Sequence, residues 1–364
     1  MKKLFLIIGL VCLLPLFAYA KDKVDPALCN ASEPMSFEYQ PPKKVTHHSL
    51  KGIYITINTL QTARLTELVD TLIANDGNTI VVDIEHGGGQ LGFIPENEWL
   101  KNLNSGSLPR KTFETAIENL HEKGIYVIAR QVVFNDPYMN RRHPEWRIKY
   151  RSGGEVDTRW LDPSKPGVHR YNLKVLEELI DMGFDEIQFD YIRFPAFTHS
   201  AINYHYDEEN FERYEIINDF LQKAKNIAVK KNVPISADVF GVTVWGDIDW
   251  KILGQNIGEM AKIVDAIYPM TYPSHFSPGF QGYMNPYGAP YNIMHDSIEK
   301  FVTLADGNAE IRPWIQGFPL KIPRFGTWFM KDQIQASLDA GANDFIIWSP
   351  GNIYTYSWAT FKDE

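Results

Sequence analysis

The sequence predicts a single (β/α)8 barrel, an α/β fold in which eight parallel strands form a ring and each is followed by a helix. Three observations predict it. From Lys51 onward, eight short runs rich in Val, Ile, Phe and Tyr alternate with seven clear amphipathic runs. The connections from helix to strand are short, and several carry a helix-stop glycine: Gly77, Gly124, Gly183 and Gly341. The connections from strand to helix are long after strands two, three, four and six (85–111, 131–167, 192–209 and 271–292). In such a barrel those loops build the active-site face. A doubly wound open sheet is the alternative that the same alternation allows.

In chain order the strands are expected at 52–57, 79–84, 125–130, 186–191, 235–240, 266–270, 312–316 and 345–348. The helices between them are expected at 62–75, 112–123, 168–182, 210–230, 254–262, 293–305 and 331–340, with a weak eighth at 356–362. The barrel domain is assigned to 49–364.

Two segments precede it. Residues 1–20 carry Lys2 and Lys3, an apolar run and the small-x-small site Ala18-Tyr19-Ala20, the pattern of a cleavable signal peptide. Residues 21–48 are polar, with Pro26, Pro34, Pro41 and Pro42, and read as a leader or linker. The expected location is periplasmic or secreted. Cleavage removes Lys2 and Lys3 and takes the formal charge from -9 to -11. An acidic protein without a basic cluster argues against nucleic acid as a partner. No later stretch is apolar enough to span a membrane once the signal is removed. Of the two cysteines, only Cys29 survives cleavage, so neither an internal disulfide nor a cysteine metal site is available. The oligomeric state is not legible in the sequence.

The functional signal lies on the strand faces. In "GFDEIQFDYIRFP" (183–195), Ile187, Phe189 and Tyr191 form one face, and Glu186, Gln188 and Asp190 the other. Strand five repeats the pattern in "ISADVFG", with Ser236 and Asp238 inward and Ala237 and Val239 outward. Strand two offers Asp83, with Glu85 just beyond it, and strand three ends at Arg130. Strand six carries Tyr268 and Met270, strand seven Arg312, Trp314 and Gln316, and strand eight Trp348. Buried carboxylates cost several kcal/mol or shift their pKa, so a group of them needs arginines, a metal or a catalytic use. Glycoside hydrolysis uses two carboxyls, one ionised and one held protonated. Asp190 and Asp238, on adjacent strands, are the natural pair, and Arg193 is placed to keep one of them ionised. A buried Asp–Arg network that only holds the barrel mouth is the structural alternative.

The glycines of "HGGGQLG" (Gly87, Gly89, Gly92) fit G-x-G-x-x-G. The following Phe93-Ile94-Pro95 is not a helix start, so a loop over the cleft is expected and not a nucleotide site. No spaced histidine pattern appears, and neither a metal nor a cofactor is expected. His275, in "YPSHF", is the histidine placed nearest the cleft. Tyr268, Tyr272 and Trp348 are candidate sugar-stacking rings, with Trp314 deeper.

Together "GFDEIQFDYIRFP", "ISADVFG", "AIYPMTYPSHF", "RPWIQGF" and "GANDFIIWSPGN" resemble the bacterial "putative glycosyl hydrolase" domain family across most of 50–355. In that family an acid often follows the strand-seven glutamine; here Gly317 stands there. A more distant likeness is to the chitinase-type glycosidases, whose fourth strand reads D-x-x-D-x-D-x-E. This chain aligns Asp185, Gln188, Asp190 and Ile192 with it, and Ile192 replaces the proton-donating Glu. A strand-four nucleophile with a strand-five acid is closer to the amylase-like arrangement. The resemblance implies a glycoside hydrolase acting on a polysaccharide or oligosaccharide. The expected roles are Asp190 as nucleophile or base and Asp238 as acid, with Asp83, Glu85, Arg130, Arg193, Tyr268, Tyr272, His275, Gln316 and Trp348 binding sugar. The rival readings are a non-catalytic carbohydrate-binding barrel and a metal-assisted deacetylase.

Overall fold

The computed structural model describes residues 49–156, 158–196 and 202–362. The expected signal peptide and leader lie outside the described residues. The strands of the main sheet are β1 (Lys51–Ile55), β2 (Thr79–Asp83), β3 (Tyr126–Val132), β4 (Glu186–Asp190), β5 (Ile235–Phe240), β6 (Ala266–Met270), β7 and β8 (Phe345–Trp348). Strand β7 comes in two pieces, Glu310–Ile311 and Trp314–Gln316. All pairings in this sheet are parallel.

The sheet closes through β7. Its first piece pairs with β6 (Ile267↔Ile311) and its second with β8 (Trp314↔Ile346). Pro313, between the pieces, has no N–H to give to a ladder, yet its carbonyl accepts from Ile346 N at 3.1 Å while Arg312 N donates to Ile267 O at 2.9 Å. Both open ends of the strand order are therefore one run of chain. β1 pairs with both β2 and β8, which completes the ring.

Seven helices cover the outside: α1 (Ala63–Ala74), α2 (Arg110–Glu122), α3 (Pro166–Asp181), α4 (Arg213–Ala228), α5 (Ile257–Ala261), α6 (Pro290–Ala305) and α7 (Thr327–Asp339). The sequence places all seven within a few residues. Proline opens α3 and α6 at the first turn, where its missing N–H costs nothing. Three details differ. Gly254 adopts φ +74° and ends an additional helix, Asp247–Leu253, instead of opening α5, whose N-cap is Asn256. The weak eighth helix is a 3-10 turn at Trp358–Thr360. After α1 the left-handed turn is taken by Asp76 (φ +64°) and not by Gly77. Gly77 is required for room, since a Cβ there meets Leu72 Cδ1 at 2.1 Å.

The alternation read from the sequence sorts residues into two apolar regions. Outward side chains such as Ile53, Ile55, Ile187, Phe189, Ala237 and Val239 pack with the helices. Inward ones, including Tyr54, Val81, Ile128, Tyr268, Trp314 and Ile346, fill the barrel. The ladder slopes: Asp83, Arg130, Gln188, Ser236 and Ala266 lie on one hydrogen-bonded line. The last residue of β2 thus shares a line with the first of β6, the tilt a closed barrel requires. Among the described residues no helix is long and apolar enough to cross a membrane.

The long loops carry their own structure. A helix at Glu98–Leu103 lies in the loop after β2 and another at Pro137–Arg142 in the loop after β3. A two-stranded antiparallel ribbon, Lys149–Tyr150 with Ile202–Asn203, joins the loops after β3 and β4. The G-x-G-x-x-G stretch forms a turn closed by a Glu85↔Leu91 bridge and does not open a helix.

Candidate active site

Arg130 is the hub. Its β3 position pairs with Asp83 on β2, and Asp190 projects from β4 two residues above its other partner, Gln188. Nη1 donates to Asp83 Oδ1 at 2.5 Å, Nη2 donates to Asp190 Oδ2, and Nε faces Asp238 Oδ2 at 3.7 Å. One guanidinium thus meets three carboxylates from three strands. These attractions outweigh burial and hold Arg130 well above its ordinary pKa. Its cation lies 4.9 Å from the Trp348 ring centroid and 6.0 Å from that of Tyr54. Those two rings stack at 3.8 Å, and the Tyr54 hydroxyl donates to Asp83 Oδ2.

The two expected catalytic carboxyls sit in different surroundings. Asp190 accepts from Arg130 and, at 2.5 Å, from the backbone N–H of Tyr191. Tyr191 makes that bond from a left-handed conformation, φ +51°, unusual for a residue with a side chain. Asp238 is 1% exposed and takes one hydrogen bond, from Trp314 Nε1 to Oδ1 at 2.7 Å. Its Oδ2 and the Arg130 Nε it faces are both buried without a hydrogen-bond partner among the described residues. Burial, then the charge of Asp190, pushes the Asp238 carboxyl well above the carboxylate range. Burial also raises Asp83, against the pull of Arg130. Glu85, tied to Val132 N at 3.0 Å, is pushed well up by burial.

The other expected residues divide. Tyr272 is buried beside the cluster, close enough for Asp238 and Asp190 to act on its phenol after burial, the main cause of its raised pKa. His275 is exposed, with its ring edge-on to Tyr272 at 5.2 Å. Gln316 is wholly buried and occupied by the chain. Its Oε1 accepts from Ser274 N, and its Nε2 donates to Phe318 O and Leu320 O. Tyr268 belongs to another group: it donates to Glu186 Oε1 at 3.0 Å and accepts from Arg312 at 3.0 Å. Among the described residues Arg193 pairs with no carboxylate, and the cation beside Asp190 is Arg130 in place of the expected Arg193.

Four features in and below the site were given no role in the sequence reading. Tyr54, on the inward face of β1, was detectable by the same alternation that exposed Asp190. Glu186, at the base of β4, has a signal of the same kind: its carboxylate gathers Ser236, Tyr268 and Arg312. The left-handed turn at Tyr191 and the buried Asp136, pushed up to about 7 by burial, have no sequence signal. Gly317 approaches β8 closely, with its N–H 2.9 Å from Trp348 O; a Cβ there would meet Ile347 Cγ2 at 2.6 Å. The one cluster among the described residues with metal-like spacing, His295, Asp296 and Glu299, lies on helix α6 and not at the strand ends.

A closed parallel barrel with arginine-linked carboxylates at its strand ends has the architecture of the glycosidase barrels. The chain belongs to the family described as "Putative glycosyl hydrolase domain", whose model matches residues 52–354. Among solved structures it resembles the glycoside hydrolase domain of PgaB (BpsB) from Bordetella bronchiseptica. That match is 14% identical, covers 83% of this chain and 94% of the other, and has a TM-score of 0.61. A β-galactosidase from the psychrophilic Marinomonas ef1 matches at 11% identity over 82% of this chain and 53% of its own, with a TM-score of 0.52. A hypothetical protein from Ruminiclostridium thermocellum is 30% identical over 52% of this chain and 97% of its own, with a TM-score of 0.44. Comparison with curated protein sequences finds no match.

Proposed function

We propose that the protein hydrolyses O-glycosidic bonds of a polysaccharide or oligosaccharide outside the cytoplasm, with Asp190 as nucleophile or base and Asp238 as acid. The observation that carries this reading is the unequal treatment of two neighbouring carboxyls. Asp190 accepts hydrogen bonds from the Arg130 guanidinium and from the Tyr191 N–H. Asp238 is buried and repelled by the charge of Asp190, which favours the protonated form. One ionised and one protonated carboxyl is the division that glycoside hydrolysis requires. The buried Asp238 Oδ2 has no hydrogen-bond partner among the described residues and only the Arg130 Nε at 3.7 Å facing it, which leaves it as the atom to give a proton to the leaving oxygen. Exposed Met284, Leu320, Ile353 and Tyr356 lie in segments that follow the strands and offer apolar surface to a longer glycan.

A second reading, carbohydrate binding without turnover, is favoured by the near-complete burial of Asp238. Measuring glycan affinity and reducing-end release together on a polysaccharide panel separates the two. Turnover by the wild type that Asp238→Asn removes, with affinity retained, supports the enzyme. Affinity without release by the wild type supports the binding barrel.

A further inference from the structure

We infer that Arg193, three residues past Asp190, is an anion-recognition residue that takes an anionic group on the substrate sugar. This rests on the glycosidase reading and narrows its substrate to acidic glycans.

Arg193 is 7% exposed and has no carboxylate partner among the described residues. Its guanidinium lies 4.2 Å from the ring centroid of Phe240, 4.5 Å from Trp160 and 5.7 Å from Tyr191. Its single hydrogen bond is from Nη1 to Phe194 O at 3.0 Å. The polar atoms sealed without a hydrogen-bond partner include Arg130 Nε and Asp238 Oδ2, but no Arg193 nitrogen, so its remaining N–H groups are not fully closed off from solvent. Rings attract a cation through their faces, whereas a guanidinium binds carboxylate or sulfate through its N–H edge. The rings leave that edge unused.

The backbone around it is fixed. Ile192 and Phe194, on either side, are fully buried, and Phe194 N donates to Leu253 O at 2.8 Å. Gln255 Oε1 accepts from Phe240 N at 3.1 Å, and its Nε2 donates to Asp238 O at 3.1 Å, which joins the cage to β5. A buried cation without an anion is costly, and burial draws Arg193 down to about 10 while the Asp190 charge opposes it. An anionic ligand removes that cost. The chain's formal charge of -9 supplies no general attraction for an anion, so recognition falls to this residue.

The test compares hydrolysis of uronic-acid polymers (polygalacturonate, alginate, glucuronoxylan) with their carboxyl-reduced products, beside Arg193→Gln and Arg193→Lys. It adds a Trp-fluorescence titration of the full chain with D-glucuronate, D-glucose 6-sulfate and D-glucose. The expected result is a preference for the anionic polymer on the order of tenfold to a hundredfold. Arg193→Gln should abolish it mainly through KM, and Arg193→Lys should keep part of it. Equal cleavage of native and reduced polymers, or of neutral glycans alone, overturns the inference and leaves the hydrolase reading standing. If nothing is cleaved, the titration decides. Glucuronate or sulfate binding over glucose, lost in Arg193→Gln, sustains anion recognition and identifies which anion; equal or no response to all three overturns it.

Discussion

Arg130 settles the charge of the site because it lies within reach of three carboxylates that would otherwise repel one another. Trp314 adjusts one of them, since its N–H favours the ionised form of Asp238. Trp314→Phe keeps a smaller aromatic ring and removes the donor, so the Asp238 carboxyl should rise further. If the protonated form is active, the alkaline limb of the kcat/KM–pH profile should move to higher pH; an unmoved limb would separate Asp238 from the proton transfer. The polar residues here were legible in the sequence because acids and an arginine on inward strand faces break an apolar pattern. Their partners were not. Arg193, three residues past Asp190, looked like its natural counterion. The left-handed turn at Tyr191 instead leads Arg193 into a ring cage, and Arg130 reaches Asp190 across the strands. Gln188, on the same face as Asp190, is buried with neither amide atom bonded to protein.

At the scale of elements, the periodicity located eight strands and seven helices, because a two-residue and a 3.6-residue repeat are visible without tertiary information. Interruptions were less visible. The break in β7 follows from Pro313, and the extra helix before α5 from Gly254 turning left-handed. One loop helix carries its own pH dependence. Asp136 caps Pro137–Arg142 by accepting from Met139 N at 2.9 Å, and burial raises its carboxyl from 3.8 to about 7. An acid raised on folding contributes stability that is complete below its unfolded pKa and lost as pH rises through the folded one. Stability should therefore fall between about pH 4 and pH 7. Asp136→Asn keeps the capping oxygen without the titration. Its thermal unfolding midpoint should fall less steeply across that window than the wild type's, and identical slopes would refute the assignment.

For the molecule as a whole, a second polar layer ties the barrel together. Arg312 joins Glu186, Glu310 and Asp344, and Asp344 also accepts from Leu50 N at 2.7 Å, fastening the entry to β1. This layer lies at the opposite end of the strands from the Arg130 cluster: Glu186 begins β4 and Glu310 begins β7. Strand tilt, which the sequence does not display, is what gathers residues from different heights of different strands. Arg312→Met leaves Glu186 and Asp344 without their cation and should cost about 3–5 kcal/mol in denaturant unfolding. Because none of the bonds of Arg312 involves the Arg130 cluster, the folded fraction should retain its specific activity. A small loss of stability, or loss of activity in fully folded protein, would contradict this separation of layers.

The central claim is that the Arg130-linked carboxylates perform glycoside hydrolysis. Reducing-end release by the purified protein beside Asp190→Asn, on any polysaccharide it cleaves, tests it most directly. The account predicts release by the wild type and a fall of about 10²–10⁴-fold in the variant, the range expected for loss of a catalytic proton-transfer group, with the fold intact by circular dichroism. Equal release by both proteins would contradict it and remove Asp190 from the chemistry.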